Sequence, residues 1–304
     1  VGSSAGVAMT TGINNTIIGG LAGDALTSGG QNVAVGKASL TSATTANDNV
    51  GVGHGTLSSL TTSARNVAIG TQALNGAMNT NSNTYNIAVG YQAGMAVTTG
   101  LENTFIGGLA GTALTSGVSN VALGYAALAA SVDGDNNTAI GYAALLAYED
   151  GDGNGHNTAV GAASQSAAIS GEFNTSLGSQ SMGSGVTTGD NNVSLGYRAG
   201  VALTSGAQNI LIGRGAGDAL TTGLNNVAVG HEALGTQIVH GQNVAVGYRA
   251  LKLQNVDGHG NNTAVGMQAG INVTTGVSNT LIGSIAGDAL TTGANNIALG
   301  VSAL

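Results

Sequence analysis

Apolar and small residues alternate over short segments that recur about every 17 residues, each opened by Asn and closed by Gly. With the Asn counted as position 0, position 1 is Val, Ile or Thr, position 3 is Val, Ile or Leu, and position 4 is Gly in every copy. This alternation predicts a short strand over positions 1–3, and the Gly predicts a turn through positive φ. The opening asparagines are Asn15, Asn32, Asn49, Asn66, Asn86, Asn103, Asn120, Asn137, Asn157, Asn174, Asn192, Asn209, Asn226, Asn243, Asn262, Asn279 and Asn296.

The regular spacing of these asparagines predicts a stack of coils. Most steps, such as that from Asn15 to Asn32, are 17 residues, and the exceptions are 18, 19 or 20. A repeat this short cannot bury a core alone, so successive copies must pack on one another. We therefore predict an all-β fold, a β-solenoid of about seventeen coils of 17–20 residues that forms one continuous region over residues 1–304. Because the chain starts and stops within a repeat, we expect it to be a segment of a longer fibre protein.

The Asn at position 0 suits a turn, since its side chain can bond nearby backbone and tolerates the left-handed conformation. Stacked coils would also align these side chains in a ladder of amides.

Position 2 is informative because it points away from positions 1 and 3. It is Ala, Gly or Ser in thirteen copies, and the other four copies carry Ile17, Phe105, Leu211 and Leu281. A strand without a polar face is typically buried on both sides. One side would face the interior of the coil, and the other needs a second surface. That surface is either a copy of the same chain or a second strand of the same coil.

The composition narrows the classes of protein that fit. Of 304 residues, 53 are Gly and none is Pro, Cys or Trp, while 42% are hydrophobic, which argues against disorder. The net charge of −8 and the six scattered basic residues argue against nucleic-acid binding. No apolar run approaches the roughly 20 residues of a membrane span.

The strand segments resemble a known group of surface proteins. Residues 32–36 read Asn-Val-Ala-Val-Gly, and residues 136–145 read Asn-Asn-Thr-Ala-Ile-Gly-Tyr-Ala-Ala-Leu. The shorter phrase resembles the head repeats of trimeric autotransporter adhesins, and the longer one resembles repeats of phage tail fibres. The resemblance implies a homotrimer, intertwined or side by side, located outside the cell on a virion tail or a bacterial surface. The implied function is attachment. We expect such a fibre to give rigid reach and to make at most weak contact with a cell-surface glycan or receptor.

The sequence offers little chemistry. No catalytic constellation is present, so we predict neither an enzyme nor a cofactor. A weak cation candidate is Asp150, Asp152 and Asn154, which match the first half of a calcium loop, although Gly161 stands where that loop needs Glu.

Positions 5 and 6 predict an exposed ridge whose aromatic and Arg side chains could stack on sugars. The surface-contact candidates are Tyr91, Tyr125, Tyr142, Tyr197, Arg198, Tyr248 and Arg249.

Two other functions compete with an attachment fibre. Thr-Thr pairs such as Thr98-Thr99 and Thr221-Thr222 suggest an ice-binding or other surface-coating solenoid. Those pairs are adjacent, whereas a flat ice-binding array needs Thr at alternate positions. A polysaccharide lyase on a β-helix would need clustered carboxylates and basic residues, which the sequence lacks.

Overall fold

The repeats form parallel β-solenoids. The computed structural model describes residues 2–149, 154–239 and 241–304. The chain divides into two compact units, Val1–Gly155 and His156–Leu304. Strands, turns and bends account for all regular structure in the described residues, which contain no helix. The predicted all-β solenoid is therefore confirmed, while its continuity as one region stays a prediction.

Each repeat contributes one strand of three residues, at positions 1–3 as predicted. In the first unit the strands are β1 (Thr16–Ile18), β2 (Val33–Val35), β3 (Val50–Val52), β4 (Val67–Ile69), β5 (Ile87–Val89), β6 (Thr104–Ile106), β7 (Val121–Leu123) and β8 (Thr138–Ile140). In the second unit they are β9 (Thr158–Val160), β10 (Thr175–Leu177), β11 (Val193–Leu195), β12 (Ile210–Ile212), β13 (Val227–Val229), β14 (Val244–Val246), β15 (Thr263–Val265), β16 (Thr280–Ile282) and β17 (Ile297–Leu299).

The strands of each unit pair in parallel and keep one register. Val33 pairs with Val50 across an ordinary step, and Val67 pairs with Ile87 across one of the longer steps. The extra residues therefore lie in the connection between strands. Because register is unchanged, each coil position forms a column of equivalent side chains along the unit.

Position 2 faces the interior of the coil. Ala34, Ala88 and Ala245 are each at most 1% exposed. The four large residues at position 2 each lie over a pair of glycines at position 8. A Cβ added to Gly111 would lie 2.3 Å from the ring of Phe105, and one added to Gly94 would lie 2.7 Å from it. Leu211 approaches the glycines of its own pair in the same way, so large and small residues compensate across neighbouring coils.

The position-0 asparagines form the predicted ladder of amides. Asn209 illustrates it: its Nδ2 donates to Asn192 Oδ1 at 3.1 Å and to the Gly223 carbonyl at 2.8 Å. Its Oδ1 accepts the backbone N–H of Asn226 at 3.0 Å. Each buried Asn thus joins its own coil to the coils on both sides.

The left-handed residue is not this Asn, as the turn argument suggested, but the residue before it. Gln31, Asp48 and Phe173 all have φ between 56° and 62°. The Asn side chain bonds to neighbouring coils, so its role is to connect coils and not to form the turn.

Candidate functional site

The outer face of the sheet is apolar and uncovered within the chain. We call the side chains at positions 1 and 3 of every strand the outer face. All of them are Val, Ile, Leu or Thr, and none is charged. Ile69 is 40% exposed, Leu123 is 42% exposed and Leu177 is 54% exposed. This leaves two neighbouring columns of half-exposed Val, Ile, Leu and Thr side chains along the sheet of each unit.

The alternative in which a second strand of the same coil covers this face is wrong for the described residues. Their named strands are all position 1–3 strands, and each one turns position 2 inward. The rest of each coil packs against that inner side, so the chain itself supplies no cover for the outer side.

The predicted ridge is exposed at its tyrosines, whereas position 6 is buried at Ala126 and Ala143. Its tyrosines are between 41% and 62% exposed: Tyr91, Tyr125, Tyr142, Tyr197 and Tyr248. Because coils keep register, neighbouring ridge residues stack. The rings of Tyr125 and Tyr142 lie 5.9 Å apart at 10°. The guanidinium of Arg249 lies 4.9 Å from the ring centre of Tyr248. The ridge therefore offers flat, exposed aromatic surface in both units.

A cleft interrupts the ridge in the second unit. It is lined by Tyr197, Arg198, Arg214, Gly215, Asp218 and Glu232 and has a volume of about 200 Å³. Position 6 carries a long charged side chain in the coils on either side, Arg198 and Glu232, but Gly215 between them has none. The cleft is therefore a one-coil gap in a column of charged side chains, with Asp218 beside it.

Charges are concentrated around this cleft. Glu232 Oε2 accepts from Arg249 Nε at 2.9 Å and from Lys252 Nζ at 2.7 Å. The hydrogen bond from Lys252, with that from Arg249, lowers the pKa of Glu232 below its usual range. Glu232 therefore remains a carboxylate, held in place by two cations on the next coil.

Arg214 is held by a histidine. Its Nη1 lies 2.8 Å from His231 Nε2, and since a guanidinium can only donate, Nε2 must be the acceptor. The ring of His231 also stacks on the ring of Tyr248, with centroids 5.5 Å apart. Arg214 thus keeps its positive charge and its remaining N–H donors.

Asp218 is partly desolvated at the side of the cleft. Burial raises its pKa, the nearby Arg198 lowers it, and the like charge of Glu232 raises it further. Arg198 and Arg214 form no ion pair with a carboxylate anywhere in the part of the chain that the structure describes. The cleft thus combines two guanidinium groups that have spare donors with two carboxylates.

The structure does not test the predicted calcium loop. Asp150 and Asp152 lie outside the described residues, so the candidate calcium loop stays a prediction. Within residues 2–149, 154–239 and 241–304, no group of three or more acidic or His side chains could hold a metal ion. Over the same ranges, no helix has the length and apolarity that a membrane span requires.

The Thr-Thr pairs take part in coil stacking. Thr98 Oγ1 donates to the Thr115 carbonyl at 3.2 Å, and Thr221 Oγ1 donates to the Ile238 carbonyl at 2.8 Å. The first hydroxyl of these pairs is therefore bonded to the next coil.

Sequence reasoning missed four cleft residues, Arg214, Gly215, Asp218 and Glu232, and it described the basic residues as scattered. Four of the six basic residues either line the cleft or pair with Glu232, and they lie on three coils: Arg198, Arg214, Arg249 and Lys252. A signal was available, since position 6 recurs every 17 residues in this region and carries Arg198, Gly215, Glu232 and Arg249 in turn.

Comparison with known proteins adds no family. No protein-family model matches the sequence, and a search of curated proteins finds no match. The outer face, the ridge and the cleft are therefore the features that bear on function.

Proposed function

We propose that the chain forms the shaft or head of an extracellular, homotrimeric attachment fibre, on a virion tail or a bacterial surface. The observation that carries this proposal is the outer face, which is uncharged in every strand and half-exposed in the single chain. A contiguous apolar surface of this kind is typical of an interface between proteins.

The repeat of the outer face argues for a second copy of the chain as its partner. The columns recur with every coil, at about 4.8 Å between neighbouring strands. A partner can fit all of them only if its own surface has the same period, and an identical chain has that property. Burying a half-exposed Val, Ile or Leu contributes about 1 kcal/mol, so many coils together supply ample free energy for association. The number three comes from the resemblance to trimeric adhesins and tail fibres.

Substitutions on the outer face test the proposal. Leu123 and Leu177 lie at position 3, one in each unit, and are well exposed in the single chain. Changing both to Lys places identical charges together in a complex of identical chains, so we expect it to lower the assembled fraction at least tenfold in sedimentation velocity. Both side chains point away from the coil interior, so far-ultraviolet circular dichroism should stay unchanged.

Two leucines outside the strands provide the matched control. Leu146 and Leu253 are 37% and 40% exposed, one in each unit. The Leu146→Lys/Leu253→Lys chain carries the same two changes of residue type and the same added charge, and it should assemble like the unaltered chain. Equal assembly of both double variants would contradict the role of the outer face.

A further inference from the structure

The geometry points to a binding site for a carboxylated sugar in the cleft lined by Tyr197, Arg198, Arg214, Gly215, Asp218 and Glu232. The inference rests on the proposed attachment function and names the chemical class of its ligand. It starts from charge: a chain of net charge −8 with only six basic residues places two arginines, neither ion-paired to a carboxylate within the described residues, on one small cleft. A guanidinium binds a carboxylate through two parallel hydrogen bonds, so these arginines favour a ligand that carries one.

The two carboxylates of the cleft favour a ligand that also carries hydroxyl groups. Asp218 and Glu232 line the same space as Arg198 and Arg214. Sulfate carries no hydroxyl and hydrogenphosphate carries only one, so neither can donate hydrogen bonds to both carboxylates while its charged oxygens bind the arginines. Carboxylates instead accept hydrogen bonds from hydroxyl groups. A ligand that suits the whole lining therefore carries both a carboxylate and several hydroxyls, which is the composition of a uronic acid.

The shape of the cleft agrees with this chemistry. Its volume of about 200 Å³ suits a single sugar ring and not a longer chain. Tyr197 is 47% exposed at the edge, so its ring is available to the apolar face of a sugar. The space exists because Gly215 has no side chain: a Cβ there would meet only Asp218 and Glu232 atoms at 3.6 Å or more.

Gly215 also gives a variant that fills the cleft without altering charge. Its φ is +62°, a conformation that Asn adopts readily. Gly215→Asn should therefore fold normally and occupy the space of the ligand. Gly55 is the matched control, because it holds position 6 in a coil of the first unit, its φ is +64°, and a Cβ there would have open space apart from Gln72 at 3.8 Å.

The test is saturation-transfer NMR and titration with glucuronate and galacturonate on the full chain. We expect transfer to at least one of the two uronates, and no comparable transfer to glucose or acetate. Gly215→Asn and Arg214→Gln should each lower the apparent affinity by about tenfold or more, as loss of charge-assisted contacts implies. Gly55→Asn and Arg65→Gln, which alter the first unit, should bind like the unaltered chain.

Several results would overturn the site. Equal transfer to glucose would show a general sugar surface, equal transfer to acetate would show a simple anion site, and binding that survives Gly215→Asn would place the ligand elsewhere. Absence of binding to both uronates would also overturn it. The molar mass of the same sample separates this inference from the proposed assembly: a trimer that binds no uronate overturns only the cleft site, whereas a monomer that binds uronate overturns only the assembly.

Discussion

At the scale of single residues, the buried Asn column and the paired glycines maintain the coil. Leu40, Leu74 and Leu234 have φ between 47° and 53°, a left-handed conformation that costs a side chain of this kind about 1–2 kcal/mol. These residues are fully buried or nearly so, and burial of a Leu offsets that cost. A signal for this conformation was available, because position 8 is Gly in other copies, such as Gly94 and Gly111, and those glycines have φ of 57° and 56°.

The Asn column predicts a large effect for a small change. Asn209→Ala would remove two buried hydrogen bonds, one to the Gly223 carbonyl and one from the Asn226 backbone N–H. Removing one partner of a buried hydrogen bond costs about 1–3 kcal/mol, so we expect a loss of roughly 2–6 kcal/mol in the free energy of unfolding, measured by urea denaturation. Asn225→Ala is the neighbouring control, because Asn225 is exposed. Only its φ of 57° disfavours Ala there, and that should lower the free energy of unfolding by about 1 kcal/mol. Equal losses would contradict the structural role of the column.

Phe105 and Gly111 should be energetically coupled. Phe105→Ala leaves a cavity between two glycine coils and should cost about 3–5 kcal/mol. Gly111→Ala should also destabilise the chain, because its Cβ would overlap the Phe105 ring. In the Phe105→Ala background that overlap is gone, so Gly111→Ala should cost about 1–3 kcal/mol less than it does alone. Strict additivity in a double-mutant cycle would contradict the compensation between positions 2 and 8.

At the scale of the coil, constant register turns the short sequence repeat into columns of side chains. The strand limits could be predicted, because alternating β-branched residues form the strand and Gly ends it. The inward-facing column of amides could also be predicted, because it follows from the stacking of equivalent positions. Which face of the strand is interior could not be predicted, because neither face carries a charge. The cleft was missed for a related reason, since its residues come from three coils and meet only when the coils stack.

Side-chain pairs between coils give a prediction on pH. The pKa of Glu232 is lower in the folded chain than in the unfolded chain, chiefly through its bond to Lys252. Its contribution to stability is therefore complete above the unfolded pKa and is lost as pH falls through the folded pKa. The melting temperature of the unaltered chain should exceed that of Glu232→Gln at pH 7, and the difference should vanish in strong acid. Lys252→Gln should show the same trend, and a difference that does not change with pH would contradict the pairing.

At the scale of the whole molecule, the proposed assembly depends on what covers the outer face. The interior packs within the single chain: Asn209 bonds to the coils on both sides, and Phe105 and Leu211 fill the space over the position-8 glycines. The outer face is the apolar surface that the chain does not cover itself, and side chains such as Leu177 are more than half exposed on it. We infer that assembly, and not the single chain, is the functional state, because isolated soluble proteins rarely expose a contiguous apolar surface of this kind.

The most direct test is the molar mass of the unaltered chain, measured by light scattering over a range of concentrations down to the micromolar. The proposal predicts a constant mass of three times the 29.2 kDa of one chain. A folded monomer across that range would contradict it.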